Sequence, residues 1–486
     1  MSDERTLRAV PRGERLSAAA ASPQNGTTVL LTMFVVTSTA LMLAGGKLAS
    51  LGIVALAAGV AYLLYLRSPV VYASFVWWLF FLTCFARRII DYRSGFSDQN
   101  VVLAAPLVAA LVCAPTLLRQ RHLWKLPISL PFVLAFASAL YGICVGVLCI
   151  PPKILLESSL QWIPPLVFGF FMFAECVSAE KRDAHIKSLK RTFTWGLLLM
   201  GAYGIYQYVA MPPWDALWMT GSGMGSIGSP EPFGMRVFST MNGPGVLGYA
   251  LAAGLVLIAS DRNLLSYCAG TFGLCALLLS SVRAAWAMLV IALILFLLRE
   301  KKYIARVLLA TTAAGLVAIA AVAISPARDS IQDRFSSFTD LRDDTSYQER
   351  TEGYSQLLPY ALDAPFGSGL GTMDAHFQGN ISLGTRDSGL WEIILSLGWI
   401  GGFVYLLALA RLALSAWQHT RNGTEEYTAI ACIVLGLLSQ LAMGSMMLGF
   451  TGLAIWSFGA MAMARSGVYE STSRRETVWL PDPAAA

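Results

Sequence analysis

The sequence predicts an all-α polytopic membrane protein, a bundle of about fourteen helices crossing the bilayer. Composition carries the first argument: 56% of the 486 residues are hydrophobic and only 13% are charged, against roughly 25% charged in a soluble domain. Arrangement carries the second. The apolar residues fall in blocks of the length a bilayer demands, about 17 to 25 residues, and the basic residues collect at alternate ends of those blocks.

Taken in order, residues 1–27 are polar and rich in Ala, Ser and Arg. No apolar stretch precedes Thr28, so this is a tail and not a cleaved leader. The bundle occupies 28–465. Its first spans, at 28–45, 51–66 and 69–86, follow one another with short connectors. The fourth, at 100–118, carries Pro106 and Pro115, residues that weaken a helix. Spans at 127–150, 158–177 and 193–211 follow, and then a group at 243–260, 263–281, 284–298 and 303–325. The last three lie at 389–410, 427–443 and 446–464, before a polar tail from Ser466 to Ala486.

With the N-terminus inside, most of the 35 basic residues fall inside too. They include Arg5, Arg8, Arg12 and Arg15, the run from Lys181 to Arg191, and Arg299, Lys301, Lys302 and Arg306. Positive charge on cytoplasmic loops is the expected bias, so both termini are placed in the cytoplasm and the protein in the cytoplasmic (inner) membrane. The formal charge of +6 is therefore a mark of topology, and nucleic acid is not a partner. The eight cysteines lie in spans or at their ends without CxxC spacing. They read as small core hydrophobes, with no metal site and no cofactor.

This orientation puts two long hydrophilic loops outside, at about 212–241 and 326–388. Gly221 to Ser226 and Pro230-Glu231-Pro232 mark the first as irregular. The second is too long for a connector. It holds an expected helix from Asp344 to Leu358 and a glycine-rich turn from Pro365 to Gly371. The middles of the spans carry almost no ionisable residues, whereas ion-coupled transporters use such residues as relays. Polarity is instead concentrated at one face.

The chemistry-bearing residues lie there. Arg236 opens the run Arg236-Val237-Phe238-Ser239-Thr240-Met241-Asn242-Gly243-Pro244, and Arg283 follows Ser280-Ser281-Val282 at the outer end of a span. Arginine bonds phosphate through a planar fork and keeps its charge in low-dielectric surroundings. Arg334 lies in Asp333-Arg334-Phe335. Arg350 stands between Glu349 and Glu352, where a surface ion pair is the competing reading. Asp387 precedes the span at 389, a place that also suits a helix cap. His376 is the one outward histidine and the rival base. Trp214 and Trp218, in the first loop, are candidates for sugar stacking or for burial within the loop.

From about 230 to 450 the chain resembles the O-antigen ligase and polymerase superfamily of bacterial surface-polysaccharide assembly. The resemblance rests on Arg236 to Pro244 at a span entry, on Ser281-Val282-Arg283-Ala284, and on the Pro-x-Gly-x-Gly turn Pro365 to Gly369. It rests also on Gly398 and Gly401, eleven and fourteen residues past Asp387, which stands where ligases carry histidine. The resemblance implies a GT-C-like bundle of about 12–14 helices with a large periplasmic loop. It implies a metal-independent, inverting glycosyltransferase whose donor is a glycan on undecaprenyl pyrophosphate.

Carried onto these positions, Arg236, Arg283 and Arg350 would hold the pyrophosphate and Asp387 would take the acceptor's proton. The implied partners are that lipid-linked glycan, an acceptor glycan or lipid, membrane lipids, a chain-length regulator and other assembly proteins. The departure at Asp387 favours a polymerase over a ligase of lipid A core or protein. A polysaccharide or lipid transporter is the non-enzymatic alternative.

Overall fold

The computed structural model describes residues 23–324, 357–359, 361–373, 388–420 and 424–464. The described chain is all-α. Seven helices are long and apolar enough to cross a membrane, and Pro244–Ile258, Leu264–Ser280 and Gly449–Met463 are shorter apolar helices. The protein is a polytopic membrane protein.

In order the helices are α1 Pro23–Ala44, α2 Gly46–Arg67, α3 Pro69–Ser94, α4 Ala105–Leu111, α5 Pro115–Arg119, α6 Leu130–Cys149 and α7 Pro152–Cys176. They continue with α8 Ala179–Ala210, α9 Pro213–Ser222, α10 Pro244–Ile258, α11 Leu264–Ser280, α12 Arg283–Arg299 and α13 Ile304–Ile324. Beyond residue 388 come α14 Gly389–His419, α15 Glu425–Leu438 and α16 Gly449–Met463.

The expected fourth span is broken into a 3-10 turn, α4 and α5, and Pro106 and Pro115 each sit in the first turn of a piece. There the missing N–H costs nothing. The expected span at 193–211 begins at Ala179. Lys, Glu and Ala are good helix formers, so the helix continues past the end of its apolar stretch. The first loop is irregular from Gly223 on, as its glycines and prolines mark, but Pro213–Ser222, with both tryptophans, forms α9. The expected helix at 344–358 lies outside the described residues except for its last two positions.

Helices pack chiefly as α7 on α16, α8 on α11 and α6 on α14, with α15 and α10 between the groups. Small residues allow the close approaches. A Cβ on Gly169 would meet Trp456 Cβ at 2.7 Å, and one on Gly201 would meet the backbone of Gly273 at 2.7 Å. Small residues at helix contacts are the usual device of membrane bundles, where lipid is as apolar as leucine.

The two ends of the bundle differ. At one, Lys190 Nζ stands 2.5 Å from Asp261 and 3.5 Å from Glu426, Arg182 donates to Ala464 O at 2.9 Å, and Arg306 donates to Ser260 O at 3.0 Å. The other end carries the segments 95–100, 211–243, 281–282, 364–373 and 439–448.

At that second end the glycine-rich turn is laid into a break in α14. Gly398 leaves helical geometry with φ 66°, which frees the carbonyls before it. Ser368 N then donates to Leu395 O at 2.9 Å and Gly369 N to Ser396 O at 3.1 Å. In return Trp399 N donates to Pro365 O at 2.9 Å, and Leu370 N reaches Gly142 O on α6 at 3.0 Å. The approach is backbone against backbone. A Cβ on Gly369 would overlap Gly146, and one on Gly398 would overlap Phe366 and Gly367. This ribbon accounts for the spacing of glycines at 367, 369 and 398 by contact, and buried main-chain groups find partners as they must.

Candidate functional site

The last carbonyls of a helix lack partners within it, and the site begins with those of α11. Trp286 Nε1 donates to Leu277 O at 2.9 Å, Ser281 N to Leu278 O at 3.0 Å, and Val237 N to Leu279 O at 3.2 Å. Arg236 takes the rest. Its Nε donates to Ser280 O at 3.2 Å and its Nη2 to Ser281 O at 3.1 Å, while Nη1 reaches Ser226 O at 3.2 Å. A cation at a helix C-terminus is electrostatically favoured. The half-buried guanidinium is thereby fixed in plane and position. Ser281 closes α11 in the left-handed region at φ 53°, and Arg283 opens α12 two residues on. The structure therefore brings Arg236 and Arg283 to one turn, at the end of the bundle that carries the glycine ribbon.

The backbone that presents Arg236 is held by a buried network that sequence reasoning missed. Arg88 is fully buried at the end of α3, with its Nε 2.7 Å from Asp215 Oδ1 of α9. Its Nη1 donates to Met241 O at 2.6 Å and its Nη2 to Ser239 O. Asp215 Oδ2 accepts from Tyr203 OH at 2.7 Å and from Gln207 Nε2 at 2.8 Å. Gln207 Oε1 accepts from Ser239 N at 2.8 Å and Phe238 N at 3.2 Å. Burial pushes the Asp215 carboxyl up from its ordinary value, against the pull of the Arg88 guanidinium. The segment 238–241 is so fastened that Ser239 stands at φ 49°, a left-handed conformation. The available signal was the pair Arg87-Arg88 directly after the apolar stretch 69–86, since an arginine that becomes buried needs a partner. Arg87 serves the adjoining loop, donating to Asp91 at 3.1 Å and to Ser97 O at 2.7 Å.

Trp218, 2% exposed, lies with its ring 4.9 Å from that of Phe238 and 6.0 Å from the Arg88 guanidinium. Its ring is enclosed within the loop and presents no face for a sugar, so of the two readings burial is the one the geometry supports. Trp214, partly buried, donates from Nε1 to Tyr203 OH at 2.7 Å. Both rings thus brace α9. Arg334, Arg350, His376 and Asp387 lie outside the described residues. The first described position beyond Asp387 is Ser388, the cap of α14, and Gly389 N donates to Gly444 O at 2.9 Å.

Residues 268–406 match the model of a family described as O-antigen ligase. That segment is similar to the O-antigen ligase and polymerase superfamily. The matched segment runs from within α11 through Arg283 and the glycine ribbon, past the break at Gly398 and on into α14. Arg236 and its supporting network lie before it. No curated protein and no solved structure matches the chain.

Proposed function

We propose that the protein is a lipid-linked glycan polymerase of O-antigen or exopolysaccharide biosynthesis. The observation that carries this reading is the convergence of Arg236 and Arg283 on one turn, beside the N-terminus of α12. Two arginines and a helix N-terminus form a site for a dianionic pyrophosphate diester and for the further negative charge that its departure develops. The family match supports the chemistry, and Asp387, standing where ligases have histidine, supports polymerase over ligase.

In the proposed step the donor glycan rides on undecaprenyl pyrophosphate at the periplasmic face. The acceptor hydroxyl oxygen attacks the anomeric carbon from the side opposite the pyrophosphate, inverting it. The anomeric C–O bond to phosphate breaks, and its electron pair leaves with the lipid pyrophosphate. Arg236 and Arg283, with Arg350 as a third, neutralise that developing charge. Asp387 receives the hydroxyl proton. No metal enters the step.

The test is deletion of the gene, followed by electrophoresis of surface and lipid-linked glycans, with Arg236→Ala and Asp387→Asn as complementing variants. Single repeat units with the ladder gone establish polymerisation. Full-length chains stranded on the lipid carrier make the protein a ligase instead. An unchanged glycan profile removes the transferase reading and favours a transporter, and full rescue by both variants removes this assignment of the site.

A further inference from the structure

At the basic end of the bundle, which carries Lys190 and Arg182, a groove of 430 Å³ runs between α10, α11, α12 and α13. Its volume falls in the range of small-molecule sites, about 300–1,000 Å³. The outer lip faces the surroundings, with Tyr267 45% and Leu309 72% exposed. Arg306 is the third residue of α13 and Tyr267 the fourth of α11, so the mouth lies within the first turn of both helices. From there the wall reaches Leu274 on α11 and Ala313 on α13, a depth of about 10 Å at 1.5 Å per residue. That depth stays within one leaflet of a hydrocarbon core about 30 Å thick.

We propose that this groove binds one acidic phospholipid of the leaflet at the basic end, with an acyl chain in the groove and the phosphate at Arg306. The site stands independently of the transferase reading. Below the mouth, the hydroxyls of the wall are bonded to their own helices. Thr271 Oγ1 donates to Tyr267 O at 3.0 Å and Thr311 Oγ1 to Val307 O at 2.7 Å. The rest of the deep lining, such as Leu274, Leu289 and Leu293, is apolar. Such a wall offers dispersion contact and no free donor, which suits a hydrocarbon chain and not a polar solute.

The mouth is different. Arg306 Nη1 donates to Ser260 O at 3.0 Å, and the guanidinium lies 5.0 Å from the centre of the Tyr303 ring. Its other N–H groups are left for a ligand. Among the nearby acids, Asp261 and Glu426 share Lys190, at 2.5 and 3.5 Å, and Glu300 and Glu425 share Lys302, at 3.6 and 3.4 Å. Arg262, Lys301 and Arg306 have no ion pair among the described residues, so five cations stand against four acids. Of the three unpaired cations, Arg306 is the one that lines the groove. Arginine bonds phosphate through its planar fork, and basic pockets between spanning helices suit anionic headgroups. The groove also stops at Leu274 and Leu289, six residues or about 9 Å of helix short of Ser280 and Arg283. Its cation lies at the end away from the arginine turn, so the charge selects a lipid of the basic-end leaflet and not one anchored at that turn.

Full-length protein, delipidated in neutral detergent, is titrated with phosphatidylglycerol, phosphatidylcholine, glycerol 3-phosphate and undecaprenol, and bound ligands are counted by native mass spectrometry. Phosphatidylglycerol should bind as a single lipid at least tenfold more tightly than phosphatidylcholine. Arg306→Gln should remove that preference. Gly270→Leu places a side chain in the groove, where a Cβ meets only Ile258 Cδ1 at 3.5 Å, and should weaken both lipids tenfold or more. Arg119→Gln, at an exposed cation away from the groove, should change neither. An unaltered preference in Arg306→Gln overturns the headgroup assignment, and unaltered affinity in Gly270→Leu overturns the groove. Equal losses in Arg306→Gln and Arg119→Gln would make the attraction one of general surface charge and remove the site. Displacement of the lipid by glycerol 3-phosphate would reduce it to a free phosphate site. Undecaprenol binding that Gly270→Leu abolishes and Arg306→Gln spares would give the groove to the carrier's chain and overturn the phospholipid.

Discussion

A guanidinium that bonds three carbonyls is defined by its geometry as much as by its charge, and Arg236 tests that difference. Arg236→Ala should lower chain transfer by about 10²- to 10³-fold, the usual loss when one donor to a developing anion is removed. Arg236→Lys should recover little, because an ammonium cannot bond Ser226, Ser280 and Ser281 together. Lengthening of the glycan ladder measures both, and full activity in the lysine variant would reduce Arg236 to a point charge. Arg88 acts one step behind. Arg88→Ala leaves Asp215 buried and unpaired, which should cost about 3–5 kcal/mol, read as a lowered unfolding midpoint in detergent. Arg236 was legible in the sequence through its motif. Arg88 was not, because its partners on α9 and the 238–241 segment are assembled only by the packing of α3.

Among the elements, α14 and the glycine ribbon depend on one another. The hydropathy of 389–410 announced a span, and the glycines at 367, 369 and 398 were visible as a pattern. Their reason was not visible, since hydropathy does not record that a helix breaks at Gly398 and lends its carbonyls to a loop. Gly369→Ala and Gly398→Ala place a Cβ on backbone atoms at positive φ, and should cut the yield of folded protein severely. Gly315→Ala, in α13 with nothing within 4 Å, should be neutral or stabilise by up to about 1 kcal/mol. Yield and unfolding midpoint, compared across the three, distinguish close contact from a general intolerance of alanine. Equal behaviour of all three would remove the ribbon's structural role.

For the whole molecule, most of the spans were legible because bilayer thickness imposes one length on every apolar block. The broken fourth span and the overlong α8 were less so, since proline position and helix propensity act below the resolution of a hydropathy window. Orientation is the remaining large-scale expectation. In a cysteine-free background, Glu231→Cys should react with a membrane-impermeant maleimide in cells whose outer membrane is permeabilised. Glu180→Cys, at the basic end, should react only after lysis. The opposite pattern would invert the bundle and place the proposed arginine site in the cytoplasm.

The suture of ribbon into helix also governs how such a protein can be recombined. Pro365 to Leu370, the break at Gly398 and the α6 surface at Gly142 and Gly146 are cut to one another's backbone. A chimaera that exchanges only the long loop splits this joint and leaves foreign glycines against a native helix. Loop, helix and α6 surface therefore form one heritable cassette. Exchanges of specificity between relatives should succeed when the crossovers fall outside it, and fail within.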